Sequence, residues 1–167
     1  MGFISKMLGG TNEIKKTESI KPAAAGGGIN YDPELVGKLK DDHKELVRIY
    51  GAIKTASTEN RYGDIHDLLS DFKLTFQTHL AVENVRFYVY VQQHMALDAD
   101  TSNFIADVRK EMNNIARAVL KFVDTYMTTP PTPYSSAEFN AELDGIGPVL
   151  VQRVQLEESR LYSLYQP

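Results

Sequence analysis

Apolar side chains recur at steps of three and four along four separate stretches of this 167-residue chain, the rhythm that gathers them on one face of an α-helix. The first stripe runs Leu35, Leu39, His43, Leu46, Tyr50, Ile53. A second follows as Ile65, Leu68, Phe72, Phe76, His79, Glu83, Phe87, Val91 and a third as Ile105, Val108, Met112, Ile115, Val119, Phe122, Tyr126. The fourth is Phe139, Leu143, Ile146, Leu150, Arg153, Glu157 and then Leu161 or Leu164. Near the middle of each stripe stands one conspicuous residue or pair: His43, His79 with Glu83, Met112, and Arg153 with Glu157.

The ends of the stripes carry stop and start signals. Asp32-Pro33 reads as an N-cap followed by proline at the first helical position, where the missing N–H costs nothing. The second helix is expected from about Asp64, the third from about Thr101 and the fourth from Ser135 or Ser136. Pro130, Pro131 and Pro133 end the third, and Gly145, Gly147 and Pro148 are expected to bend the fourth. No stretch alternates with period two between hairpin turns, so β-structure is not expected. Short connections favour antiparallel neighbours, which predicts an all-α fold, an up-down-up-down four-helix bundle. His43, His79, Met112 and Arg153 then fall at about one level of it.

Residues 1–30 differ from the rest. They are poor in apolar residues after Leu8 and pass through Ala23-Ala24-Ala25-Gly26-Gly27-Gly28, a composition that does not offset its ordering entropy. The expectation is a flexible tail and linker over 1–30 and a single domain over 31–167. Within the tail, Phe3, Ile4, Met7 and Leu8 are spaced to line a two-turn helix, a docking peptide for a protein partner or a membrane surface, although so short a helix is marginal alone. Lys6 stands where a myristoylation motif wants Ser or Thr.

Composition removes several classes of chemistry. The chain has no cysteine, which excludes disulfide scaffolds, thiolate nucleophiles and iron–sulfur ligation. A net charge of −4 spread along the sequence argues against a nucleic-acid partner, which requires clustered Lys and Arg. No run suggests a signal peptide or transmembrane span, so a cytoplasmic address is expected. No Ser-His-Asp set or phosphate-cradling glycine loop is present.

Chemistry therefore rests on the mid-helix level. An ionisable side chain on a core stripe must find a partner, because burying it alone costs several kcal/mol on the order-of-magnitude scale. One core histidine means little. Two histidines and two glutamates from three helices at one level are the ligand types that iron, manganese or zinc select. His79 and Glu83 are one turn apart and project side by side. His94 at the end of the second helix reads as a C-terminal cap and His66 as solvent-facing. Tyr50, Tyr88, Tyr90, Tyr126 and Tyr162 read as bundle-core tyrosines with hydroxyls directed to the edge.

The segments LKDDHKELVRIY, FQTHLAVENVRFYV and QRVQLEESRLYSLY resemble the hemerythrin-like, or HHE cation-binding, domains over about residues 32–165. The resemblance implies a di-iron bundle whose first helix offers a His after an Asp, whose second and fourth helices each carry His-x-x-x-Glu, and whose third offers a His after a Glu. Asp42-His43 matches the first element, His79 with Glu83 the second, and Glu157 the carboxylate of the fourth. Two elements depart: Met112 stands at the lost ligand position of the third helix, and Arg153 replaces the histidine of the fourth. By resemblance both missing histidines serve the same iron. Arg153, with five donors and a fixed charge, is expected to bridge Glu83 and Glu157 in place of that metal.

With Glu83 and Glu157 ionised and Arg153 charged, the cluster lacks one positive charge, which a protonated histidine supplies. The sequence thus leads to a non-catalytic regulatory or interaction module with a metal-free Arg/Glu/His core; sigma-factor-binding bundles of hemerythrin shape are a precedent. The alternative is a sensor or storage protein holding one iron or other divalent ion on His43, His79, Glu83 and Glu157. An oxygen-binding di-iron centre, or a small oxidase or peroxidase with residual iron, ranks behind both.

Overall fold

The structure, a computed structural model, describes residues 28–167. The expected tail and the group Phe3, Ile4, Met7 and Leu8 fall outside the described residues, apart from the last three residues of the predicted linker. Helix α1 spans Leu35–Thr58. A second rod is built from α2 (Tyr62–Val82), a π-turn (Glu83–Phe87) and α3 (Tyr88–His94). Helix α4 spans Ala99–Thr128, and a fourth rod consists of α5 (Ser136–Leu156), a π-turn (Glu157–Leu161) and a 3-10 turn (Tyr162–Leu164). No strand occurs among the described residues. No helix there is long and apolar enough to cross a membrane.

Each rod packs on its neighbours in sequence, α1 on α2, α2 on α4, α4 on α5 and α5 back on α1. The ring closes as the antiparallel up-down-up-down bundle that the stripes predict. At one pole lie the start of α1 (Leu35, Leu39), the end of the second rod (Phe87, Val91), the start of α4 (Ile105, Val108) and Leu161. The opposite pole gathers Ile53, Ile65, Leu69, Val123, Phe139 and Leu143. Two apolar cores result. Between them every rod passes through the level of His43, His79, Met112 and Arg153.

Local chemistry sets the boundaries. Asn60 takes the left-handed conformation at φ 59°, a geometry asparagine tolerates. It closes α1 with a pair of bonds, Arg61 N–H to the Ala56 carbonyl at 2.8 Å and Asn60 N–H to Ser57 at 3.1 Å, the Schellman pattern. Asp98 caps α4 by accepting from the Thr101 N–H at 2.7 Å. This start precedes the one expected at Thr101, because the cap lies outside the apolar stripe. Asp32 accepts from the Glu34 N–H at 3.0 Å, but it caps a turn, and α1 opens at Leu35. The bundle also begins upstream of residue 31. Ile29 N–H donates to Gln93 at 3.2 Å, and the Tyr31 ring stacks on Tyr165 at 5.0 Å.

Helix α5 runs without a break through Pro148. Its one close approach is at Gly147, where a Cβ would meet the Tyr50 hydroxyl oxygen at 2.3 Å and Cζ at 2.6 Å. That gap admits the Tyr50 side chain, whose hydroxyl donates to the Leu143 carbonyl at 3.0 Å. Gly145, two residues earlier, has nothing within 4 Å of the same position. Opposite effects follow on one helix. Gly147→Ala should cost about 1–3 kcal/mol through overpacking, whereas Gly145→Ala should gain roughly 0.5–1 kcal/mol from helix propensity. Chemical denaturation of both variants measures the pair, and Tyr50→Val should offset the Gly147→Ala loss.

Candidate metal centre

Six side chains form a polar layer between the two cores. His43 comes from α1, His79 and Glu83 from the second rod, and Arg153, Glu157 and Tyr162 from the fourth; all are buried. Helical spacing aims them inward, since His79 precedes Glu83 by four residues and Arg153 precedes Glu157 by four. Both glutamates open a π-turn, a distortion that often accompanies functional sites.

His43 is held from both ring nitrogens. Its Nε2 lies 3.0 Å from Glu157 Oε2, and its Nδ1 lies 2.8 Å from Glu158 Oε1. Burial opposes its charge, but the hydrogen bonds to Glu157 and Glu158 outweigh burial and raise its pKa. His79 has the opposite balance: burial and then the neighbouring His43 lower its pKa. The two rings lie 4.7 Å apart. His79 Nδ1 faces Asp42 Oδ2 at 3.5 Å, too long for a hydrogen bond.

Arg153 is threaded through the layer. Its Nε donates to Glu157, one NH to the Val108 carbonyl at 3.0 Å and the other to the Tyr88 hydroxyl at 3.2 Å. The expected bridge is therefore half-built: Glu157 is paired with Arg153, and Glu83 is not among its ion-pair partners. Glu83 instead approaches Tyr162, whose hydroxyl lies 3.3 Å from Oε1. A carboxylate buried so deeply, with ionised Glu157 nearby, holds its proton: burial and then Glu157 raise Glu83 to about 8. For Glu157 the hydrogen bond from His43 and the charge of Arg153 outweigh burial, and its pKa falls.

Met112 is buried and lines a cavity of about 60 Å³ together with His43, His79, Arg153 and Glu157. The four mid-helix positions thus do converge. Donor atoms of His43, His79 and Glu157 lie within 4.8 Å of one another; Glu83 is adjacent but outside that set. His94 and His66 stay apart from it. His94 Nδ1 lies 3.2 Å from the Tyr90 carbonyl oxygen and its ring stacks on Tyr90, while His66 sits beside Asp67 in an exposed position.

Three partners escaped the sequence reading. Glu158 escaped because it sits beside the stripe and not on it. Tyr162 and Tyr88 were expected to point their hydroxyls to the edge; both point into the polar layer. A signal existed in the repeat Glu83-x-x-Arg86-Phe87-Tyr88 and Glu157-x-x-Arg160-Leu161-Tyr162. Each tyrosine follows its glutamate by five residues, which places it off the face of an α-helix and on the face of a π-turn.

The donor chemistry suits a cation. Three buried polar atoms lack a hydrogen-bond partner among the described residues: Asp42 Oδ2 and His79 Nδ1, which face each other at 3.5 Å, and Glu83 Oε2, which lies beside the convergence point. Two imidazoles and a carboxylate from three helices are the ligands of a non-thiolate transition-metal site. Residues 34–165 match the family model described as Hemerythrin HHE cation binding domain. The chain therefore belongs to the hemerythrin HHE cation-binding family. No curated protein and no solved structure matches it significantly.

The raised pKa of Glu83 fixes the sign of one pH effect. The folded metal-free protein keeps a proton on Glu83 between the ordinary 4.5 and about 8, which the unfolded chain has released. Stability contributed by this group therefore falls as pH rises through that window. Glu83→Gln removes the penalty. In chelator-treated protein its melting temperature should exceed wild type by more at about pH 8 than at about pH 5, as differential scanning calorimetry would read.

Proposed function

We propose that this protein is a single-ion, non-catalytic member of its family, a sensor or store in which His43, His79 and Glu157 hold one iron or other divalent ion. The convergence of those donors from α1, α2 and the fourth rod within 4.8 Å carries the reading. Arg153 stands as a fixed cation where the family resemblance implies a second metal. Asp42 faces the outer nitrogen of His79, and Glu158 contacts that of His43, as carboxylates behind metal-bound imidazoles do. The ion would supply a positive centre tying three helices together. Occupancy then changes bundle stability by mass action, and this is how such a domain reports metal to a partner.

A second reading draws on one observation. In the metal-free layer, protonated His43 and Arg153 balance Glu157 and Glu158, with Glu83 neutral. That closed set supports a bundle kept for protein interaction alone.

Metal analysis of protein purified without chelator separates the two. The single-ion reading expects close to one iron, manganese or zinc per chain, or uptake to that level on soaking, with a rise in melting temperature of several degrees at about a hundredfold excess over Kd. His79→Ala should abolish the metal-dependent rise. Absence of both uptake and shift would leave the interaction module standing.

The replaced half makes its own prediction. Met112 and Arg153 line one cavity with His43 and His79, so Met112→His combined with Arg153→His should raise iron uptake toward two per chain and give an oxo-bridge absorption. A double variant that binds no more iron than wild type would overturn the idea that Arg153 stands in for a metal.

A further inference from the structure

Tyr162 occupies the centre of the polar layer. Its hydroxyl lies 3.3 Å from His43 Nε2, 3.3 Å from Glu83 Oε1 and 3.5 Å from Glu157 Oε2. It thus lies within 3.5 Å of two of the three convergent donors. The π-turn Glu157–Leu161 makes this placement. Five α-helical residues would rotate Tyr162 about 140° away from Glu157, whereas here the Tyr162 N–H closes on the Glu157 carbonyl and the two side chains share a face. The equivalent tyrosine of the second rod, Tyr88, serves Arg153 instead. The repeat thus gives one tyrosine to the fixed cation and the other to the donor set.

Resting on the single-ion reading above, we infer that Tyr162 is a further metal ligand, which makes the centre a two-histidine, carboxylate and phenolate site for ferric iron. Charge is the first reason. An ion placed beside Arg153 meets a guanidinium that already claims Glu157, so the site needs negative charge beyond that one carboxylate. A phenolate supplies it between the same donors. Donor type is the second. Phenolate and carboxylate oxygens suit a small, highly charged ion, and tyrosinate is an established iron ligand.

The step balances without a redox partner. The phenolic O–H bond breaks, an O–iron bond forms, and the displaced proton is released to solvent. No electron moves.

The test titrates the chelator-treated full chain with ferric nitrilotriacetate, and separately with zinc as a spectroscopically silent ion. Ferric protein should develop a visible phenolate-to-iron charge-transfer band, and excitation into that band should enhance tyrosinate ring modes in the Raman spectrum. Tyr162→Phe should lose the band while still binding zinc, and its ferric/ferrous potential should rise. Tyr88→Phe and Tyr50→Phe should keep the band; Tyr50 also lines the cavity. Ferric binding by wild type without a charge-transfer band would overturn the phenolate and leave the single-ion reading intact. A band lost in Tyr88→Phe or Tyr50→Phe and kept in Tyr162→Phe would overturn the assignment. Failure to bind any ion would sink both. The wild-type Raman spectrum decides the matter even if Tyr162→Phe does not fold.

Discussion

The pairing of Arg153 with Glu157, and of Glu157 with His43, is the interaction on which the remainder of this bundle depends. Charges this deeply buried are tolerable only when each has a partner, and removal of one partner typically costs about 3–5 kcal/mol. The three residues come from α1 and the fourth rod, so their pairing fixes the register of those helices at the layer. Val108, Tyr88 and Tyr162 extend the constraint to the other two rods through Arg153 and Glu83. The apolar residues above and below supply most of the burial, but they are interchangeable in a way the layer is not. Leucine packed on phenylalanine specifies no particular level of the bundle. A guanidinium that must reach Glu157, Val108 and Tyr88 together does.

The layer also explains why the protein has two cores. On α1, Leu39 belongs to one and Leu46 to the other, with His43 between; on α4 the division falls between Val108 and Met112. Met112 packs with the Ile53–Phe139 cluster while facing the layer, so it lines one side of the cavity there. Arg153 has a double effect: it brings a fixed positive charge to Glu157 and ties the fourth rod to Val108 and Tyr88 of its neighbours.

Most of the architecture was legible because helix faces announce themselves by spacing. All four stripes became helices, and His43, His79, Met112 and Arg153 fell at one level. The second stripe missed the register by one at Leu68, which is half-buried beside buried Leu69, and of the two choices for the end of the fourth stripe Leu161 is the buried one. Within the site, the family pattern named His43, His79, Glu83 and Glu157, but it did not anticipate that Glu83 would turn to Tyr162 and leave Arg153 to Glu157. That distinction depends on two π-turns, and a π-turn has no periodicity of its own to read. Helix starts at Ala99 and Tyr62 were displaced by about two residues for a related reason, since capping and first-turn residues need not join the apolar stripe.

The π-turns have one more effect. Each puts an extra residue into its rod at the polar layer, so the apolar stripe beyond the layer is out of phase with the stripe before it. Phe72 and Phe76 belong to one helical phase; Phe87 and Val91 belong to another. The layer behaves as a clutch between two sections of the same rod. Sequence drift in one core need not be matched by compensating rotation in the other, provided the turn at Glu83 or Glu157 is preserved, and this allows a chain to revise its ends while keeping its centre.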